Sequence, residues 1–157
     1  MAESPYIRRY LPADHPALLS FLEQTFLALG RRFVPDGKDA DIRDIDQVYL
    51  ENRGSFFVAV MDARSEIHGC VGVRQLSTEF CELKRLYLAP EYRGLGIGRA
   101  LCDHAIADAR RLGYRFLRLD TTADSRAALA LFNKLGFCEI PRYNSDPFAE
   151  IFMEKAL

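Results

Sequence analysis

The chain contains no run of about 18 consecutive apolar residues, which leaves no candidate for a simple membrane-spanning helix. Its first ten residues place no apolar stretch behind a basic start, so they do not read as an export leader, and a cytoplasmic location is expected. A surplus of one charge is missing too: 21 Lys and Arg stand against 22 Asp and Glu, a formal net charge of -1. Without a global basic field, neither nucleic acid nor an anionic membrane is expected as a partner.

Metal-ligating side chains are few and dispersed. Cys70, Cys81, Cys102 and Cys138 stand singly among apolar neighbours, with no C-x-x-C pair and no histidine cluster beside them. They read as buried free thiols rather than disulfides or zinc ligands, and no metal is expected. His15, His68 and His104 are equally isolated and read as helix-start, turn or surface residues. Internal repeats and low-complexity segments are absent.

What the chain does have is core material. Its 157 residues are 49% hydrophobic and 27% charged, which suits one globular domain spanning residues 1–157. Residues 6–10 can form a first strand, and Asp14 is a plausible N-cap for a helix with Pro16 in its first turn. Leu18, Leu22, Phe26 and Leu29 recur at helical spacing until Gly30, which is placed to end the helix in a left-handed conformation. Pro35-Asp36-Gly37 marks a turn, followed by a second helical stretch carrying Ile42, Ile45, Val48 and Tyr49. Residues 56–61 and 67–76 are rich in β-branched and aromatic side chains and predict a hairpin around the polar residues 62–66.

Residues 81–88 predict a further strand, which Pro90 prevents from continuing as a regular ladder. Helical period then takes over from Gly98, with Leu101, Cys102, Ala105, Ile106, Ala109 and Leu112 in one stripe and Gly113 at its end. A strand over 116–122 comes next. Asp124 or Ser125 can cap a helix that turns Ala128, Leu131, Phe132 and Leu135 to the core until Gly136. Strands over 137–140 and 149–156 close the chain. The sum is an α/β (α+β) fold, a mixed sheet of six or seven strands that starts antiparallel, with helices on both faces.

Arg93-Gly94-Leu95-Gly96-Ile97-Gly98 falls between a strand and a helix, where unpaired backbone N–H groups point at incoming anions. Glycines let the backbone approach a ligand closely, the helix dipole adds positive character, and Arg93 and Arg99 add full charges. A phosphate cradle is the inference. The spacing excludes two common nucleotide sites: a G-x-G-x-x-G read from Gly94 ends on Arg99, and one read from Gly96 ends on Leu101. A Walker loop requires Gly-Lys-Ser/Thr where this chain has Gly98-Arg99-Ala100.

Arg93, Gly96 and Gly98 match a Gln/Arg-x-x-Gly-x-Gly/Ala signature, and with Tyr92-Arg93-Gly94 and Lys134-Leu135-Gly136-Phe137 the chain resembles the GNAT superfamily of N-acetyltransferases. The resemblance covers most of the chain from about residue 56 onward. It implies that strands 81–88 and 116–122 splay apart and that acetyl-coenzyme A enters between them. It further implies that the backbone of Leu86 and Leu88 pairs with the pantetheine arm beside Tyr87. The loop Gly94, Leu95, Gly96, Ile97, Gly98 and Arg99 would hold the pyrophosphate together with Arg93.

The same resemblance puts Glu82 where some members carry a general base, and a carboxylate is suited to relieving an ammonium of its proton. The more ordinary role for Glu82 is pairing with Lys84 or Arg85 on a solvated strand face. Phe132 stands where many members have a tyrosine acid, and Ser125 where asparagine is common. Tyr143, or Tyr87, could supply the missing hydroxyl. The expected reaction is direct acetyl transfer from acetyl-coenzyme A to a primary amine of a small molecule or peptide in a ternary complex. The alternative is a coenzyme A-binding module without catalysis. Asp36, Asp39, Asp41 and Asp44 could draw in a cationic amine, although a solvated surface explains them as well. Exposed edge strands also allow a homodimer.

Overall fold

The structure is a computed structural model and describes residues 4–61 and 66–157. The predicted hairpin connection over residues 62–66 therefore lies, apart from Glu66, outside the described residues. Strand β1 (Tyr6–Arg9) leads through a 3-10 turn into α1 (His15–Ala28), then the short α2 (Ala40–Arg43). Strands β2 (Ser55–Met61), β3 (Glu66–Gln75) and β4 (Phe80–Leu88) follow, then α3 (Ile97–Arg111) and β5 (Phe116–Thr121). The chain ends with α4 (Arg126–Lys134), β6 (Cys138–Ile140) and β7 (Ile151–Ala156).

All seven strands form one sheet in the order β1-β2-β3-β4-β5-β7-β6. The first four are antiparallel neighbours, β4 and β5 are parallel, and β7 pairs antiparallel with both β5 and β6. Strand β2, second from the edge, sends alternate side chains to opposite faces, and both are covered. Phe56, Val58 and Val60 pack with Leu18, Leu22 and Phe26 of α1, whereas Phe57 and Ala59 pack with Leu101 and Ala105 of α3. Two apolar layers thus clamp the sheet, and no described helix is long and apolar enough to cross a membrane.

Local signals decided most of the boundaries. Gly30 adopts φ +68° after α1, and the N–H groups of Gly30 and Arg31 reach back to the carbonyls of Leu27 and Phe26. Asp14 does precede α1, yet its carboxylate does not cap the helix. It accepts two hydrogen bonds from Arg8 at 2.7 and 2.8 Å and one from the Leu11 N–H. Ser125 holds the N-cap position of α4 without a side-chain cap and exchanges a 2.9 Å hydrogen bond with Thr122 instead.

Two expectations need correction. The second helical stretch is broken into the four-residue α2 and a single π-helical turn, Asp46–Leu50, which together still bury Ile42, Ile45 and Tyr49. Cys70, Cys81 and Cys102 are buried free thiols, pushed up to about 12 by burial, but Cys138 is exposed. Its strand, β6, is a three-residue edge strand with little packed over it.

Candidate acetyl-coenzyme A and acceptor site

Strands β4 and β5 pair at only three positions, Phe80 with Phe116, Cys81 with Leu117 and Glu82 with Arg118. Beyond them β4 continues to Leu88 and β5 to Thr121 without meeting, so the sheet is split down its middle. A bulge helps to open it. The β3–β4 register slips between Cys70 and Gly72, and Arg85 takes up the extra residue at φ +57°. Past the bulge, the Ala89 N–H bonds the His68 carbonyl of β3 at 2.7 Å. Ladder groups alternate in direction along a strand, so the N–H and C=O of Leu88, and of Leu86 two residues back, turn toward the split.

The split is continuous with a cleft of about 850 Å³, lined by Leu86 and Tyr87 from β4, Leu119 and Asp120 from β5, and Ser125 and Phe132 around α4. Leu88 and residues 93–99 are outside that lining and form a neighbouring exposed corner. There Gly94 and Gly96 stand at φ +76° and +81°, conformations that favour glycine, and a Cβ at either would meet nothing within 4 Å. Gly96 is the N-cap of α3, and the first intrahelical bond runs from the Ala100 N–H to its carbonyl at 3.0 Å. The N–H groups of Ile97, Gly98 and Arg99 therefore have no intrahelical acceptor. Ile97 anchors this helix start with a buried side chain, while Arg93, Leu95 and Arg99 are exposed, Arg99 lying 3.8 Å from Asp103.

Phe132 is buried at the cleft wall with its ring edge against Phe137, so no hydroxyl projects from that position. Tyr87 packs on Phe26, and burial pushes its phenol above the usual range.

Glu82 and Tyr143, on β4 and in the loop after β6, are brought into direct contact. The Tyr143 hydroxyl donates to Oε2 of Glu82 at 2.5 Å, while Arg74 donates to Oε1 at 2.7 Å. Lys84 is more distant at 3.7 Å, and Arg85 does not pair with Glu82 at all. The carboxyl side chain is 1% exposed, so it is no solvated strand-face charge. Burial, then the neighbouring Glu82 charge, pushes Tyr143 well above the ordinary tyrosine range, which keeps it a hydrogen-bond donor at neutral pH. Arg118 stacks on the Tyr143 ring at 5.1 Å and pairs with Glu154, fixing the ring in place.

Most of the acidic residues considered for attracting an amine are already committed. Arg85 grips Asp39 at 2.8 Å and also Asp41, which additionally accepts from the Tyr49 hydroxyl at 2.5 Å. Asp36 pairs with Arg43, and Asp44 accepts from the Gln47 N–H. Burial pushes the Asp41 carboxyl up, but the Arg85 guanidinium outweighs it and holds the group below its usual value. This cluster ties α2 to the bulge of β4. Arg74 and Asp120 were not singled out from sequence, and Arg85 was considered only as a partner for Glu82. The alternation of Arg118 and Asp120 with Leu117 and Leu119 was readable, but not the split that exposes one side of it.

A split parallel strand pair thus stands beside a glycine-rich helix start whose first N–H groups lack intrahelical acceptors. Comparison with known proteins identifies the family. The model of the Acetyltransferase (GNAT) family matches residues 18–137. The uncharacterized N-acetyltransferase YjgM of Escherichia coli K12 is 30% identical over 140 residues, 86% of this chain and 83% of that protein. An acetyltransferase of GNAT family from Staphylococcus aureus Mu50 superposes with a TM-score of 0.88 at 21% identity, covering 98% of this chain and 99% of that one. The GNAT superfamily phosphinothricin acetyltransferase from Sinorhizobium meliloti, solved in complex with acetyl-coenzyme A, gives 0.77 at 20% identity over 99% of this chain and 89% of that one. The chain belongs to the Acetyltransferase (GNAT) family and is an N-acetyltransferase.

Proposed function

We propose that the enzyme acetylates a primary amine of a small molecule or peptide by direct attack within a ternary complex. The observation that carries this reading is the limit of three paired positions between β4 and β5, which leaves strand-edge groups in need of partners. Acetyl-coenzyme A fits those residues: Leu86 and Leu88 offer backbone groups to an amide-bearing arm, and Gly94 and Gly96 leave open space at an anion-ready helix start. Bound there, it supplies a thioester carbonyl open to nucleophilic attack. The Leu88 N–H is assigned to polarise that carbonyl, and the N–H groups of Ile97, Gly98 and Arg99, with the Arg93 charge, to hold the diphosphate.

An alkylamine is mostly protonated at neutral pH, so a proton must leave before it attacks. Glu82 is assigned as the final acceptor. Because its buried carboxylate accepts the Tyr143 hydrogen bond, the route is assigned through the phenol: Tyr143 passes its own proton to Glu82 as it takes one from the amine. A thiol with an ordinary pKa near 8.5 makes a serviceable leaving group, so solvent can protonate the departing sulfur without a dedicated acid at Phe132.

The test is acceptor-dependent thiol release across a panel of alkylamines, amino acid amides and peptides with free N-termini. Release that depends on the acceptor, and falls in Glu82→Gln with coenzyme affinity intact, supports the reading. Equal turnover by both proteins sinks the role of Glu82.

A further inference from the structure

Asp120 is two residues beyond Arg118, the last position at which β5 meets β4, and is therefore carried on the free part of the strand. Leu117 and Leu119 are buried against the α3 and α4 layer, so strand alternation turns Asp120 to the opposite face. Asp120 is among the residues that line the cleft.

Of the other carboxylates on the cleft wall, Asp39 is shared by Arg85 and Lys38, and Asp146 is in a loop turn where it accepts from the Phe148 N–H. Asp120 is the one carried on a strand that borders the split. Its partner is the neutral Asn144 amide, which donates to Oδ2 at 2.6 Å, and no ion pair reaches it among the described residues. An amide fixes the orientation of a carboxylate without cancelling its charge, so a half-buried anion is left facing space large enough for a ligand. Tyr143 and Asn144 are neighbours in one loop, and they address Glu82, at the last paired position of β4, and Asp120, on the free part of β5, respectively.

We infer that Asp120 is the seat of the acceptor's ammonium group, which makes the acceptor a cationic primary amine and rejects neutral isosteres. Charge-assisted hydrogen bonds from the ammonium to Asp120 offset the desolvation of that carboxylate. The same contact sets the nitrogen beside the loop that carries Tyr143 to Glu82. This inference rests on the acetyl-transfer reading and names the residue that selects its acceptor.

The test uses the complex with coenzyme A, titrated with butylamine, benzylamine and alaninamide, and with butanol, benzyl alcohol and lactamide as their hydroxyl counterparts. The unsubstituted protein should prefer the ammonium members. Asp120→Asn should weaken their binding roughly ten- to hundredfold, as loss of a charged hydrogen bond implies, with coenzyme affinity and hydroxyl binding unmoved. In turnover the acceptor KM should rise far more than kcat falls. Asn144→Ala separates the alternatives: if Asp120 serves only to hold its loop, this variant reproduces the full effect, and the inference is overturned. Equal treatment of ammonium and hydroxyl compounds, including binding of neither, overturns it too while the coenzyme still binds. Failure of coenzyme A to bind the unsubstituted protein brings down the acetyl-transfer reading and this inference with it.

Discussion

The Tyr143 hydroxyl and the Glu82 carboxylate meet at 2.5 Å across 61 residues of sequence, one from the loop after β6 and the other from the strand that opens the sheet. Glu82 has few other outlets. Arg74 occupies its second oxygen, and its side chain is 1% exposed. Tyr143→Phe removes the donor and leaves that oxygen buried without its partner, which should cost about 1–3 kcal/mol in thermal unfolding. If the phenol also relays the amine proton, kcat falls roughly tenfold or more while coenzyme affinity holds. A stability loss without a change in kcat would mean that the tyrosine only packs.

The glycine corner makes a prediction about charge. Gly96→Asp places a carboxylate at the opening of α3, where the diphosphate is assigned, and should weaken coenzyme A binding roughly tenfold or more by like-charge repulsion. Gly96→Ala is the control for backbone strain alone, at about 1–2 kcal/mol for a left-handed residue. Titration calorimetry with both variants separates the two effects, and an unchanged affinity in the aspartate variant contradicts the cradle. Arg93→Ala should weaken binding at low salt and progressively less as ionic strength rises, since the side chain is exposed.

Phe132→Tyr asks whether the absent acid matters. The ring is buried against Phe137 at the cleft wall, so the variant adds one hydroxyl there. If the thiolate leaves without help, kcat stays within about threefold, because an effective general acid contributes roughly a hundredfold or more. A large gain would show that protonation of sulfur limits the reaction.

Arg8→Ala tests a purely structural pair. The Arg8 hydrogen bonds hold the Asp14 carboxyl below its usual value against the opposing effect of burial. A carboxyl with a depressed folded pKa stabilises the fold above its unfolded value, near 3.9, and that contribution disappears as pH falls through the folded value. The variant should therefore lose about 1–3 kcal/mol at neutral pH. The gap from the parent protein should close on acidification below about pH 4, which chemical denaturation at several pH values would record.

Much of this molecule was written in short-range patterns. β-branched and aromatic runs marked β2 and β3, the stripe from Leu101 to Ala109 marked α3, and Gly30, Gly94, Gly96, Gly113 and Gly136 all adopt the positive φ their places at turns require. Such features depend on a few consecutive residues, because period and backbone freedom are local properties. The strand-to-helix turn that the glycine–arginine string marks was legible for the same reason.

What only the tertiary structure decided are meetings between distant segments. Tyr143 closes over Glu82, Arg85 gathers Asp39 and Asp41, and Asp120 faces an opening because β4 and β5 part after three pairs. Each depends on where a bulge, a loop and two strands come to rest relative to one another. A carboxylate's role is set by the partners that burial brings to it, and those partners lie far away in the chain.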